Sequence, residues 1–177
     1  MKNVFEIDVE RLRKDPEVAD IFKENPELLI PVRSTQGSAG YDLINPFKGE
    51  RKLLFPNRVY LIDSFVKLNI PEGYVAKMYI RSSLGIKRAL TLANNVGIID
   101  SDFHHSIKIP LILNGVDVNF YNVYDIENWA HDVDIRPEES VIKEGERIAQ
   151  LLFMKYETVE GDVVSEKRTG GIGSTGK

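Results

Sequence analysis

From residue 31 onward the sequence alternates apolar and polar side chains with a period of two, the pattern of half-buried β-strands. The alternation is clearest in RVYLIDSFVKLNI (58–70), YVAKMYI (74–80), SIKIPLILN (106–114) and RIAQLLFMKY (147–156). Turn signals such as Pro71-Glu72-Gly73 and Asn114-Gly115 separate these stretches. Many short strands joined by such turns predict a mainly β fold, a β-barrel or jelly roll.

A short amphipathic helix is predicted near the N-terminus, in the stretch DPEVADIF (15–22). Asp15 would cap the helix, and the proline after it would take the first helical position. Val18, Ile21 and Phe22 recur at helical spacing and would form its apolar face. The helix would precede the strands.

The composition favours one soluble domain and excludes several functions. With 177 residues, 42% of them hydrophobic, the chain can bury a core of its own. The formal net charge of −4 argues against a protein that coats nucleic acid, since such proteins carry basic stripes. The sequence has no cysteine, which excludes disulfides, thiolate zinc sites and a cysteine nucleophile. Its three histidines, His104, His105 and His131, lack the spacing of a metal site.

The N-terminal residues carry charges where a secretory signal needs an apolar core, and no apolar run reaches membrane-spanning length. We therefore expect a cytoplasmic protein that does not contact a membrane.

Residues 116–141 interrupt the alternation with an acidic, aromatic stretch that contains the only tryptophan, Trp129. We interpret this stretch as an insertion between two strands. It could be an extended hairpin packed on the barrel. It could instead bind a protein partner, since exposed aromatic side chains are enriched at interface hot spots.

Five short islands are polar or glycine-rich where a strand protein does not require it. They are SAGYDL (38–43), RSSLG (81–85), NNVGIIDSDF (94–103), EGERIAQ (144–150) and RTGGIGSTGK (168–177). RSSLG offers a guanidinium and two hydroxyls at a strand end, a set suited to phosphate oxygens. Each island alone also fits a capped turn or a solvated loop.

Together and in this order, the islands resemble the five signature motifs of the trimeric dUTPase family, enzymes that hydrolyse dUTP to dUMP and pyrophosphate. The resemblance covers the chain from about residue 30 to its end, the insertion excepted. It implies one dUTPase-like domain over residues 1–177, a distorted jelly roll with a flexible C-terminal arm at 166–177. It also implies a homotrimer in which each site draws motifs from three subunits.

The resemblance assigns the catalytic carboxylate to Asp100, which would orient and deprotonate a water that attacks the α-phosphorus. Asn94 and the backbone near Gly97 would bind uracil. An amide can match both ring polar groups of uracil, whereas cytosine would leave a donor facing a donor. Thymine would be rejected by the close backbone of a hairpin, and Phe103 would pack under the deoxyribose and leave no space for a 2′-OH.

The remaining site residues are also implied by the resemblance. Ser82 and Gln150 match phosphate contacts, and Asp42 matches an acidic position near a magnesium ion (Mg2+), which we expect it to reach through water. Arg81 either contacts substrate or, like Arg147, forms an ion pair that holds a loop. The further substrate-binding candidates are Ser83, Ile99, Arg168, Ile172, Gly173 and Ser174, of which those in the arm would close over the γ-phosphate.

The sequence departs from the family pattern at three places. Ile172 stands where a phenylalanine usually stacks on uracil, so we expect weaker closure, by about 0.5 to 1.5 kcal/mol, but not loss of activity. His105 stands where the family has a glycine. The insertion at 116–141 is similar to those of some phage-encoded members that also act on a regulatory partner, which suggests a phage origin and, in that case, the host cytoplasm as location.

Two other functions fit parts of the sequence. The related dCTP deaminases need a glutamate as acid and base on the strand after the hairpin, where this chain has Pro110. The second alternative is a nucleotide-responsive regulator that captures a repressor protein through the insertion.

Overall fold

The computed structural model describes residues 1–52, 58–114, 118–119, 132–133, 141–164, 168 and 170–171. Within these residues the chain is mainly β, as predicted. The strands are β1 Phe5–Ile7, β2 Tyr41–Ile44, β3 Glu50–Lys52, β4 Val59–Asp63, β5 Val66–Leu68, β6 Tyr74–Ile80, β7 Leu90–Leu92, β8 Gly97–Ile99, β9 Lys108–Leu113, β10 Val118–Asn119, β11 Asp132–Val133, β12 Val141–Lys143 and β13 Arg147–Lys155. The helices are α1 Val9–Lys14, α2 Asp20–Glu24, α3 Ser82–Arg88 and a 3₁₀ turn at Pro26–Leu29.

The strands pair antiparallel throughout the described part of the chain. The larger sheets have the orders β2-β13-β6-β8 and β4-β9-β7. Strand β9 shows why the alternation was a reliable signal, since Ile109, Leu111 and Leu113 are buried while the residues between them are partly exposed. Side chains from both sheets join one hydrophobic core.

The chain changes sheets at residues 93–96. Strand β7 belongs to the three-stranded sheet, and β8 belongs to the four-stranded one. The two flanking strands pair with β9 and β6 instead of each other. The crossing leaves β8 at a sheet edge, beside the end of the other sheet.

The helix predicted at residues 15–22 is wrong in its position. The first helix, α1, ends at Lys14, and Oδ1 of Asp15 accepts a 2.9 Å hydrogen bond from the Glu17 amide in the following turn. Val18 forms a β-bridge with Phe47 and is fully buried, so α2 begins only at Asp20. Tertiary pairing of Val18 thus prevails over the local helical pattern.

The RSSLG island lies at the end of β6, as predicted, but it folds as the start of the unpredicted helix α3. Ala89, with a φ of 50°, ends this helix in the left-handed conformation.

Most of the insertion, including Trp129, lies outside the described residues. The prediction that the insertion binds a protein partner therefore also falls outside them. Its described parts, β10 and β11, pair antiparallel. The last residue assigned to it, Val141, belongs instead to β12, which pairs with β3. Among the helices that the structure describes, none has the length and apolar character to cross a membrane.

Candidate active site

A cleft of about 450 Å³ opens where β8 meets the end of the three-stranded sheet. Six of the predicted site residues line it, namely Asn94, Gly97, Ile99, Asp100, Phe103 and Arg168. Its other walls are Leu61, Met78, Ala93, Ile98, Ile107, Lys108 and Pro110. These wall residues were not predicted from the sequence, although Lys108 and Pro110 occupy the partly exposed positions of an alternating strand.

The base of the cleft is built by a close approach of β8 to β6. Gly97 pairs with Met78, and a Cβ atom on Gly97 would lie only 2.9 Å from Cε of Met78. Only glycine fits at this position without a shift of its neighbour. Before it, Asn95 has a φ of 58° and the Val96 amide donates a 2.6 Å hydrogen bond to the carbonyl of Asn94, which turns the chain into β8.

The carboxylate and the aromatic ring come together through a turn that follows β8. The Phe103 amide donates a 3.1 Å hydrogen bond to the carbonyl of Asp100. The ring of His105 meets the Phe103 ring edge-on at 5.7 Å. His105 has no positive φ, so the backbone here does not require the glycine that the family pattern has at this position.

Arg168, from the C-terminal arm, binds both carboxylates of this turn. Its Nη2 donates a 2.6 Å hydrogen bond to Oδ2 of Asp100, and its Nε donates a 3.0 Å hydrogen bond to Oδ1 of Asp102. The guanidinium carbon also lies 5.6 Å from the centroid of the Phe103 ring. Both carboxylate side chains stay about half exposed, so solvent weakens these ion pairs.

A second polar cluster surrounds Asp42 at another end of the four-stranded sheet. Arg81 and Arg147 pair with the two carboxylate oxygens of Asp42 at 3.3 and 3.2 Å, and Ser34 donates to it at 2.8 Å. The ion-pair interpretation of Arg81 and Arg147 therefore describes their contacts in this structure. Because Asp42 is buried, loss of both partners would leave an uncompensated charge.

Gln150 lies beside Asp42, since the two are register partners on β13 and β2. Its side chain also packs on Gly40, where an added Cβ would lie 2.4 Å from Oε1 of Gln150. Ser82 and Ser83 follow Arg81 in the chain, form the start of α3 and are exposed. Among the described residues, those lining the Asp100 cleft do not include Asp42, Arg81, Ser82, Ser83 or Gln150. Ile172, Gly173 and Ser174 lie outside the described residues.

The described part of the chain holds no cluster of three or more histidine, aspartate or glutamate side chains that could enclose a metal ion. Asp42 already accepts hydrogen bonds or ion pairs at both carboxylate oxygens. Because it is buried and both oxygens are paired, Asp42 is not available for direct coordination of a metal ion in this arrangement.

Comparisons with known proteins identify the family of this chain. A family model for dUTPase matches residues 27–125. The deoxyuridine 5′-triphosphate nucleotidohydrolase of Lactococcus lactis subsp. lactis is 37% identical over 162 residues, which cover 90% of this chain and 95% of the relative. The chain is a member of the dUTPase family.

Solved structures support the fold. The dUTPase from Streptococcus mutans superposes with a TM-score of 0.60 at 24% identity and covers 89% of this chain and 99% of its own. A mutant dUTPase from phage phi11 of S. aureus, whose structure reveals the coordination of a structural Mg(II) ion, has a TM-score of 0.55 at 30% identity. It covers 77% of this chain and 90% of its own. The prediction of a mainly β, dUTPase-like fold is confirmed, while the phage origin stays a prediction.

Proposed function

We propose that the protein hydrolyses dUTP to dUMP and pyrophosphate, with Asp100 as the base that activates the attacking water. The observation that carries the proposal is the convergence of Asn94, Gly97, Asp100 and Phe103 in one cleft of a chain from the dUTPase family. Asp100 is half exposed at the mouth of this cleft, where a water molecule can reach its carboxylate.

The cleft offers polar groups for a uracil ring. Strand β8 is an edge strand within the described part of its sheet, so one side of its backbone is not used by the ladder. The side-chain amide of Asn94 stands at the start of this edge. An amide and a strand edge together present donors and acceptors that complement uracil and mismatch cytosine.

The sugar and phosphates would follow from the ring towards the turn after β8. The Phe103 ring would lie under the deoxyribose, and Asp100 would face the α-phosphorus. Arg168 would transfer its hydrogen bonds from Asp100 and Asp102 to phosphate oxygens, which a guanidinium binds with two parallel charge-assisted hydrogen bonds. The transfer would free Asp100 to accept a proton from water.

Asp42 is the residue that we propose to contact, through water, the magnesium ion that accompanies the triphosphate. The ion supplies charge neutralisation of the phosphates. A structural Mg(II) ion is described for the phi11 phage enzyme, so at least one relative of this fold binds the metal.

We propose that the site is shared between copies in a homotrimer, and the position of the two polar clusters along β6 supports this. Ala76 of β6 pairs with Ile99, directly before Asp100, whereas Arg81 follows the opposite end of the strand. These two positions are five residues apart along the chain, which corresponds to about 16 Å in a strand. The phosphate contacts of Ser82 and Gln150 are therefore better supplied to the Asp100 cleft by another copy.

The competing deamination chemistry is disfavoured by Pro110. This residue lines the cleft within β9, and its ring has no group that can donate or accept a proton. A protein partner at 116–141 remains a proposal of ours that rests on the acidic, aromatic composition of the insertion.

Pyrophosphate release with magnesium and each of dUTP, dCTP, dTTP and UTP tests the proposed function. We expect release from dUTP alone. Asp100→Asn should nearly abolish it, whereas Asp102→Asn, a matched change at the other carboxylate that binds Arg168, should retain most of it. Ammonia release from dCTP, or full activity of Asp100→Asn, would contradict the proposal.

A further inference from the structure

The loop that carries Phe103 is held from both of its ends. We call residues 101–107 the Phe103 loop. At its start, the Phe103 amide donates to the carbonyl of Asp100. At its end, the Ile107 carbonyl accepts hydrogen bonds from the amide and hydroxyl of Ser64 at 3.0 and 2.8 Å, and the Ile107 amide donates to Val66 at 2.8 Å. The position of the residues between these ends is set by other contacts.

Ser106, the next-to-last residue of the loop, ties it to the N-terminal helix. Its buried hydroxyl accepts a 2.7 Å hydrogen bond from Nη1 of Arg11, a residue of α1. This bond joins residues 95 positions apart in the chain. Helix α1, which lies outside the region matched by the dUTPase family model, thereby contacts the loop beside the cleft.

Asp63 fixes the direction in which Arg11 points. Its Oδ2 accepts a 2.6 Å hydrogen bond from Nη2 of Arg11 and another of 2.6 Å from Nζ of Lys108, and its Oδ1 accepts from the Phe65 amide at 2.9 Å. The carboxylate is nearly buried and has its capacity largely used. Arg11 is therefore held as a fork with one nitrogen on Asp63 and the other on Ser106.

A cleft of about 660 Å³ separates α1 from the rest of the loop. Asp8, Arg11 and Lys67 line one part of it, and the Phe103 loop contributes residues 103–106. Phe103 and Lys108 line both this cleft and the Asp100 cleft. Residues 104 and 105 of the loop are exposed at this cleft, so close packing does not fix their distance from α1. The Arg11 to Ser106 hydrogen bond is a direct link between α1 and the loop.

We propose that Arg11, held by Asp63, is a positioning residue that sets the place of Phe103 under the sugar and thereby controls discrimination between deoxyribose and ribose. The proposal rests on the proposed function, since it assigns the sugar to the Phe103 side of the cleft. Neither Arg11 nor Asp63 lines the Asp100 cleft, so both act through the loop.

The physical basis is the small size of the group to be excluded. Rejection of a 2′-OH requires the ring to fill the space of one oxygen atom, and misplacement of a site group by about 1 Å is enough to change rates by about 10²-fold. Release of Ser106 would let the ring move away from the sugar by such a distance into the neighbouring cleft. Ribose would then be accepted, whereas the contacts to uracil would be unchanged.

The test compares the binding of dUMP and UMP by titration calorimetry and the hydrolysis of dUTP and UTP. Ser106→Ala removes the acceptor and leaves Arg11 on Asp63, and Arg11→Gln removes the charged guanidinium that joins Asp63 to Ser106. In both variants we expect the preference for dUMP over UMP to fall about tenfold, mainly through tighter UMP binding. The kcat/KM for UTP should rise relative to dUTP, and Arg11→Lys should restore the preference in part.

Lys14→Gln is the matched control, because it removes a cation of the same helix that pairs with exposed Glu10. It should leave the preference unchanged. The Arg11 guanidinium also lies 5.6 Å from the centroid of the Phe65 ring, so Arg11→Gln could fail to fold. Ser106→Ala tests the same hydrogen bond and leaves Arg11 in place. An unchanged preference in folded Ser106→Ala would overturn the inference even with dUTP hydrolysis intact. Absence of dUTP hydrolysis by the wild-type protein would count against the proposed function. The dUMP and UMP titrations would still decide whether Arg11 positions Phe103.

Discussion

The guanidinium of Arg168 and the carboxylate of Asp100 form a 2.6 Å hydrogen bond between residues 68 positions apart in the chain. The same guanidinium reaches Asp102 and lies near the face of the Phe103 ring. A residue of the C-terminal arm therefore occupies the carboxylate that we propose as the catalytic base. Substrate phosphates must compete for this arginine before Asp100 can act.

Substitution of Arg168 should separate triphosphate from monophosphate recognition. We expect Arg168→Ala to lower kcat/KM for dUTP by about 10²-fold, because it removes a charged donor to the phosphates. Affinity for dUMP should change little, since the monophosphate lacks the γ-phosphate. Steady-state kinetics and dUMP titration measure the two effects. Lys155→Ala, which removes a cation near Tyr74, is the control. Equal losses for dUTP and dUMP would argue that Arg168 only shapes the cleft.

Glycine at position 97 should be required for both stability and base binding. In Gly97→Ala the new methyl group would lie 2.9 Å from Cε and 3.2 Å from Cβ of Met78, so β8 or Met78 must move. Overpacking of this kind costs about 1 to 3 kcal/mol. We expect a lower Tm and a higher KM for dUTP. Gly37→Ala is the control, because nothing lies within 4 Å of its added Cβ. A wild-type KM in Gly97→Ala would show that the backbone of β8 does not bind the base.

Five of the six predicted residues that line the cleft lie close together in the chain, and the sixth, Arg168, was implied by the family resemblance. Asn94, Gly97, Asp100 and Phe103 share one turn and one short strand, so their convergence follows from local geometry. The strands were predictable for a similar reason, because β9 buries every second residue and a period of two survives in the sequence.

The parts that were missed depend on contacts between distant segments. The fork of Arg11 on Asp63 and Ser106 joins three separate elements, and no local pattern marks it. The helix predicted at residues 15–22 was misplaced because Val18 pairs with Phe47, which lies far along the chain. Helix α3 was missed because a strand end followed by Gly85 indicates a turn as readily as a helix.

Acid should destabilise the protein partly through Asp63. Burial acts to raise the pKa of Asp63, but hydrogen bonds from Lys108, the Phe65 amide and Arg11 together hold this pKa below its usual value. A carboxylate with a lowered folded-state pKa stabilises the protein above its unfolded pKa of about 3.9 and loses that stabilisation as the pH falls through the folded value. The free energy of unfolding should therefore decline from about pH 5 downward.

Chemical denaturation at several pH values measures this decline. Asp63→Asn should be less stable than the wild type at neutral pH, since Arg11 and Lys108 lose their shared carboxylate, and its stability should fall less on acidification. Part of the decline should persist in Asp63→Asn, because the pKa of Asp8 is also lowered. Burial acts to raise the Asp8 pKa, but Lys67 and the Arg11 amide together lower it by more. Asp20→Asn, at an exposed position, is the control. Parallel pH curves for the wild type and Asp63→Asn would exclude the role of Asp63.

Two inactive variants should restore activity to each other if copies share their sites. Arg81→Gln impairs the cluster around Asp42 but leaves Arg147 and Ser34 on that carboxylate, so the fold should persist. Asp100→Asn impairs only the other cluster. In a mixed trimer, a site that takes Asp100 from an Arg81→Gln copy and Arg81 from an Asp100→Asn copy is intact, and random assembly of equal amounts makes about a quarter of the sites intact. Coexpression should therefore recover up to about this fraction of wild-type dUTP hydrolysis, measured by pyrophosphate release. Each variant expressed alone should stay inactive. If a purified mixed assembly shows no recovery, all motifs of a site come from one copy. The inference from the separation of Arg81 and Asp100 along β6 would then be wrong.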